Sequence, residues 1–380
     1  MWDIPFEWDM GTPKATLFEK LGHMSRKGGV NLNKLADSEY GERIIQEFWQ
    51  FMTCPDEMGE SYLAYLKQIG LTKKLHHAEK LFEKWALYLP VSIEAGAKAG
   101  RKYPLLFVNH GAHMPIYWEE QSGFLPIAGR EEMIVIAAQN HNSDHLLQIL
   151  EQVKAEYPVD ESRIYCTGYS QGGYKTQMIA FHHPRLFAAI APCGFTFSLP
   201  DWDLTEEDNR KDGNNKLPSI MICGQEEVLE FVPVHQDNLP GEEFYVPEST
   251  LKEADPTIPG IYEALPTKAT VKMDMLNKKL RSIGHREISY EECRATTESD
   301  NEVERLHGFP ADRTDIFMLA GVRHFISSFD GDYEKDVFKV VSIEGLPHWP
   351  PATMAEIAWS YMKKYARNCE TGEIIHLEDA

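Results

Sequence analysis

The stretch RIYCTGYSQGG at 163–173 decides the reading of the chain. Its first six residues are a run rich in β-formers, and a helical period follows at 173–182. Between them Gly168-Tyr169-Ser170-Gln171-Gly172 matches G-x-S-x-G. Strand, sharp turn and helix around such a serine are the parts of a nucleophile elbow, where a strained backbone at the serine leaves no room for side chains on its neighbours. The pentapeptide alone is a weak signal, and its strand-to-helix context makes it a strong one.

Working outward, similar apolar runs recur: WALYLP at 85–90, PLLFVNH at 104–110, MIVIAAQ at 133–139, LFAAIAP at 186–192, SIMICG at 219–224 and VFKVVSIEG at 337–345. Helical periods lie between several of them. At 145–157, Leu146, Leu147, Ile149, Leu150 and Val153 form one stripe at amphipathic-helix spacing. Continuous apolar strands alternating with such helices predict an α/β fold with a mostly parallel central sheet and helices on both faces. Residues 85–231 and 332–380 form this core. Residues 1–84 read as an N-terminal helical extension, notably SEYGERIIQEFWQFM and SYLAYLKQIG. Residues 232–331, punctuated by Pro and Gly, with helical periods near 274–281 and 289–297 and few strand signals, read as a cap or lid insertion.

A nucleophilic serine needs a base, an orienting acid and an oxyanion hole, and behind such an elbow the order along the chain is Ser, acid, His. His348 fits the base, because GLPHWPP follows the last strand and precedes a final amphipathic helix expected over 354–367. His324, in VRHFISS, is the reserve and reads as structural. The acid belongs in Gly224-Gln225-Glu226-Glu227, after SIMIC; Glu227 is the choice and Glu226 the alternative. Glu serves there as Asp does, holding the imidazole tautomer. The backbone N–H of Gln171 supplies one oxyanion donor, and Ala112, in the His110-Gly111-Ala112-His113 turn, supplies the second. Tyr117, Trp118 and Trp349 adjoin these positions and are candidates to line an acyl pocket.

Composition narrows the partners. The 380 residues hold 38 Lys and Arg against 59 Asp and Glu, a net charge of −21. A surface that acidic repels phosphate backbones and anionic lipid, so neither nucleic acid nor membrane is expected as a partner. The N-terminal MWDIPFEWDM lacks the basic and apolar regions of a secretory signal. Six scattered cysteines without a C-x-x-C pair read as reduced thiols, which points to a cytoplasmic setting. His141 and His145 have the i, i+4 spacing of a zinc-binding helix but lack its Glu, and no metal or cofactor is expected. Self-association into a homo-oligomer is left open.

VDESRIYCTGYSQGG, the HPRLFAAIAPCG that follows it, the HG turn, the G-x-E-E loop and the PHWP before the last helix together resemble the α/β-hydrolase superfamily. Within it they are most similar to the polyhydroxybutyrate depolymerase and feruloyl esterase group of serine esterases. The resemblance covers about 85–231 and 332–380, and it implies hydrolysis of carboxylic esters through Ser170, His348 and a carboxylate. Two departures stand out: many relatives are secreted with disulfides, and many carry Asp where this chain has Glu227. The expected function is two-step acyl transfer from a small or medium soluble ester, with the neighbouring aromatics pointing toward aromatic, feruloyl-like acyl groups. A serine peptidase of the same fold and a catalytically silent hydrolase-fold binding protein are the alternatives.

Overall fold

Strands that are apolar at every position need cover on both faces, and the chain supplies it. The computed structural model describes residues 60–76, 84–94, 96, 100–111, 116, 122–194, 216–225, 269–346 and 350–377. These fall into two compact units, one holding the described residues through Ala191 together with those from Pro350 onward, the other those from Pro192 to Leu346. In chain order the first unit contains α1 (Glu60–Gln68), β1 (Leu71–His76), β2 (Trp85–Pro90), β3 (Tyr103–Asn109), α2 (Phe124–Glu131), β4 (Ile134–Ala138), α3 (Ser143–Glu156), β5 (Val159–Tyr169), α4 (Gln171–His182) and the start of β6 (Ala189–Cys193). Its strand order is β1-β2-β4-β3-β5-β6. β3 runs parallel to both β4 and β5, whereas β2 is antiparallel to β1 and β4. β2, β3, β4 and β6 are buried along their whole length. α3 packs on α4, and α4 on β3 and β5.

The second unit contains β7 (Ser219–Gly224), α5 (Ala269–Ser282), α6 (Tyr290–Ala295), α7 (Glu302–His307), β8 (Arg313–Leu319), β9 (Val322–Phe329) and β10 (Phe338–Ile343), ordered β7-β10-β9-β8. β7 and β10 are parallel, and β9 and β8 add antiparallel to β10. The chain then returns to the first unit with α8 (Thr353–Met362), which packs on α2, and the small hairpin β11 (Tyr365–Arg367) and β12 (Ile374–His376). The fold is thus α/β with a mixed, mostly parallel sheet, as the apolar runs predict. Among the described residues no helix is long and apolar enough to cross a membrane.

Three stretches differ from the sequence pattern. Residues 71–76, inside the expected helical extension, are a strand hydrogen-bonded to β2, because tertiary pairing overrides a weak helical pattern. Residues 313–329, where strand signals are few, form a hairpin whose two-residue turn, Ala320-Gly321, has φ 53° and 78°. Two positive φ values give the turn the twist that antiparallel strands need, although Ala is unusual at its first position. The last helix stops at Met362 rather than 367, because Tyr365–Arg367 pair with Ile374–His376. The leading part of the expected extension, 1–59, and the first part of the insertion, 232–268, lie outside the described residues.

The second half of the insertion is joined to the second unit's core. Leu276, Leu280, Ile283, Ile288, Cys293, Phe309 and Phe329 pack in one cluster with Met221 of β7 and Phe338 and Val340 of β10. His307 reaches across it, its Nδ1 2.7 Å from Ser327 Oγ and its Nε2 2.9 Å from Ser342 Oγ. Burial lowers this imidazole to about 3, so it is a neutral ring with one nitrogen donating and the other accepting.

Lys279, only 4% exposed, donates from Nζ to the Leu217 carbonyl at 3.0 Å and lies over the Phe338 ring. Burial pushes it down to about 7 from 10.5. Between those values the unfolded chain binds the proton and the folded chain does not, so this group makes the fold more stable as pH rises from 7 to 10.5. Lys279→Met is expected to be more stable than wild type at pH 7, with the difference shrinking by on the order of 1 kcal/mol per pH unit up to pH 9. Urea denaturation of both proteins at several pH values checks this; a pH-independent difference would contradict it.

Candidate active site

Ser170 stands where β5 ends and α4 begins, with φ 54° and ψ −117°. A side-chain-bearing residue at positive φ costs on the order of 1–3 kcal/mol and persists only where its surroundings dictate it. Here the surroundings are two glycines pressed against backbone. A Cβ on Gly172 would lie 2.0 Å from the Asn109 carbonyl oxygen and 2.6 Å from that of His110. One on Gly168 would lie 2.5 Å from the Gly172 backbone and 2.7 Å from the Asn109 oxygen. The first turn of α4 therefore rests directly on the C-terminal end of β3, with Asn109 in register with Gly168. This is the geometry the G-x-S-x-G pattern predicts, and Ser170 is itself 6% exposed.

Polar side chains brace the elbow from beneath. Asn109 Nδ2 on β3 lies 3.3 Å from Cys166 Sγ on β5 and 3.2 Å from Thr176 Oγ1 on α4. Burial raises the Cys166 thiol to about 12, so it stays protonated and packs rather than reacts. α4 opens with Tyr174 N–H donating to the Ser170 carbonyl at 3.0 Å. The N–H of Gln171, at the first helical position, has no partner inside its own helix. It sits at the positive end of the helix dipole, where developing negative charge is favoured.

The loops after β3 and β4 meet beside this turn. His110 is buried; its Nδ1 lies 2.7 Å from the Gly111 carbonyl, and its Nε2 is 3.3 Å from Gln139 Nε2. Gln139 Oε1 accepts from Ile116 N–H at 3.2 Å. His141, at the end of the β4 loop, has Nε2 3.3 Å from Gln171 Oε1 and its ring 4.6 Å from that of His110. Burial holds His110 below its usual range. Burial, with His110 and Lys175 nearby, lowers His141 to about 3.

In the second unit, Gln225 joins the roots of two loops. Its N–H donates to the Ile343 carbonyl at 2.8 Å, and its Oε1 accepts from Gly345 N–H at 3.0 Å. The chain runs on from there to Glu226 and Glu227 after β7, and to His348 after β10. Those three residues, with Ala112, Tyr117, Trp118 and Trp349, lie outside the described residues. His324 is within them: it sits on β9, stacked 4.8 Å from Phe317, with Nδ1 3.0 Å from the Val322 carbonyl. Sequence reasoning did not anticipate the contact of His141 with Gln171. The available signal was position, since His141 follows a parallel strand at the carboxyl edge where open α/β sheets gather their sites. Asn142 is the N-cap residue of α3. Among the described residues no group of three or more His, Cys, Asp or Glu could hold a metal ion.

Parallel strands with a strained serine between a strand and a helix at their carboxyl edge are the arrangement of the α/β-hydrolase fold. The prolyl oligopeptidase family profile matches residues 136–215, which span the elbow. The chain is similar to the bifunctional acetylxylan esterase/xylanase XynS20E of Neocallimastix patriciarum, 26% identical over 27% of this chain and 17% of that one. It is also similar to poly(3-hydroxyalkanoate) depolymerase C of Paucimonas lemoignei, 24% identical over 23% of this chain and 27% of that one. The chain thus spans about a quarter or less of the length of these curated relatives. Among solved structures, the acetyl xylan esterase from Aspergillus awamori aligns over 77% of this chain and 98% of its own, with 11% identity and a TM-score of 0.44.

Proposed function

We propose that this chain hydrolyses carboxylic esters through an acyl-enzyme on Ser170. The observation that carries the reading is the Ser170 backbone, held at φ 54° between two glycines that tolerate no side chain. In the reaction Ser170 Oγ attacks the ester carbonyl while His348 takes the hydroxyl proton, and Glu227 keeps the imidazole in the required tautomer. The Gln171 N–H and the loop at Ala112 hold the oxyanion. Collapse of the tetrahedral intermediate breaks the bond to the alcohol, which leaves with the proton from His348. A water then adds by the same route and releases the acid and free Ser170.

The substrate we propose is a small or medium soluble ester, with Tyr117, Trp118 and Trp349 favouring an aromatic, feruloyl-like acyl group. The insertion at 232–331 is proposed to shape access, since 121 positions separate Glu227 from His348 where a strand-helix-strand crossover needs roughly 30. A cytoplasmic setting is proposed because the six cysteines are scattered along the sequence without a C-x-x-C pair. The prolyl oligopeptidase match favours a second reading, a serine peptidase of the same fold. Nitrophenyl esters, methyl hydroxycinnamates and peptide nitroanilides, assayed with wild type and with a variant shortened within 232–268, separate these readings. Ester turnover with hydroxycinnamates foremost, and a changed preference on shortening, is expected; peptide cleavage without ester cleavage would install the peptidase.

A further inference from the structure

A buried histidine that the two-step reaction does not use lies against the residue next to the nucleophile. His141 is 6% exposed, its Nε2 faces the Gln171 side chain, and its Nδ1 is buried with no hydrogen-bond partner among the described residues. An unsatisfied buried nitrogen costs free energy, so an apolar ring of the same shape would serve packing alone at least as well. The ring does, however, complete a chain of contacts. Ile116 N–H donates to Gln139 Oε1; the Gln139 amide reaches His110 Nε2; His110 Nδ1 reaches the Gly111 carbonyl; and the His110 ring leans on His141, which reaches Gln171. That chain ties the loop after β3, the loop after β4 and the first residue of α4 to one another.

We propose that His141 is a positioning residue that holds Gln171, and with it the N–H next to the nucleophile, in fixed relation to the loop after β3. The inference rests on the ester-hydrolase reading above, in which those two segments carry the oxyanion donors. Each imidazole keeps a single N–H. His110 faces two backbone carbonyls, that of Gly111 2.7 Å from Nδ1 and that of Gln139 3.1 Å from Nε2, and its one N–H serves one of them, so either tautomer ties the ring to the loops after β3 and β4. In His141 the N–H is on Nε2 and donates to Gln171 Oε1, which leaves Nδ1 the idle nitrogen. Hydrogen-bond donors stabilise an oxyanion strongly only when they are already in place as the charge develops, and a misplacement of about 1 Å costs up to about 100-fold. The charged and titratable groups that act on His141 are His110 and Lys175, and both disfavour its protonation. Its role is therefore that of a neutral donor across the working pH range.

The test compares His141→Phe, His141→Gln and Gln171→Ala, singly and as the His141→Phe/Gln171→Ala pair, on one nitrophenyl ester, with melting temperatures and fluorophosphonate labelling alongside. His141→Phe is expected to melt at or above the wild-type temperature while kcat falls about 10-fold or more and KM changes less than about 2-fold. His141→Gln, which keeps an N–H at similar reach, should recover most of kcat with the acid limb of the pH profile unmoved. Gln171→Ala should lower kcat similarly, and adding His141→Phe to it should cost little more, because both act through one contact. Full turnover in His141→Phe, or an undiminished loss in the Gln171→Ala background, would overturn the proposal. If His141→Phe melts early, wild-type kcat in Gln171→Ala overturns it instead. Absence of labelling on wild-type Ser170 would mark failure of the ester-hydrolase reading itself.

Discussion

Alanine at Ser170 is expected to lower ester turnover by about 10⁶-fold, the scale on which loss of the nucleophile removes all covalent catalysis. Residual rate over water then comes from the oxyanion donors and from binding, which do not pass through Oγ. The fold should be indifferent, because alanine keeps the Cβ and so keeps the strain at φ 54°. Ser170→Gly is the informative companion. It removes the Cβ from a positive-φ position and is expected to be as inactive as alanine yet more stable, by about 1 kcal/mol. Turnover and thermal melts of the two variants check this together. Equal stability of Gly and Ala would show that the elbow is not strained.

Glutamine at Glu227 is expected to lower kcat by about 10⁴-fold with little change in substrate binding, since the imidazole then settles in the wrong tautomer. Glu has one more methylene than Asp, so its carboxylate reaches the imidazole only from a backbone set correspondingly farther back. The roots of the two loops support the pairing: β7 and β10 are parallel, Gly224 is in register with Ile343, and Gln225 bonds to both Ile343 and Gly345. Glu226→Gln on the same ester is the control. A severe loss there and a mild one at Glu227 would transfer the role to Glu226, and mild losses at both would move the acid elsewhere in the chain.

How legible the fold was depended on what terminates each element. SIMICG is a strand at Ser219–Gly224, the bounds its sequence suggests, because Pro218 precedes a continuous apolar run and Gly224 ends it. β5 begins earlier than its apolar run, at Val159 rather than Arg163, because Tyr103 pairs with Val159 and Tyr103 N–H donates to the Pro158 carbonyl. Periodicity continues the last helix to Arg367, but a hairpin with residues seven to eleven positions on decided that segment, and no local pattern carries that information. The elbow was legible because its chemistry is local: a glycine on either side of one serine. The contact of His141 with Gln171 was not, because it joins residues thirty positions apart on different loops. Likewise, Gly172 reads as a turn glycine in the sequence, whereas its full constraint is the Asn109 carbonyl lying across it from β3.

Ester hydrolysis by this chain requires Ser170 to form a covalent bond, and the most direct measurement is intact-protein mass after fluorophosphonate treatment, followed by peptide mapping. One adduct on wild type, located on the peptide containing Ser170 and absent from Ser170→Ala, is the result expected. An adduct of the same mass on Ser170→Ala, or none on active wild type, would contradict it.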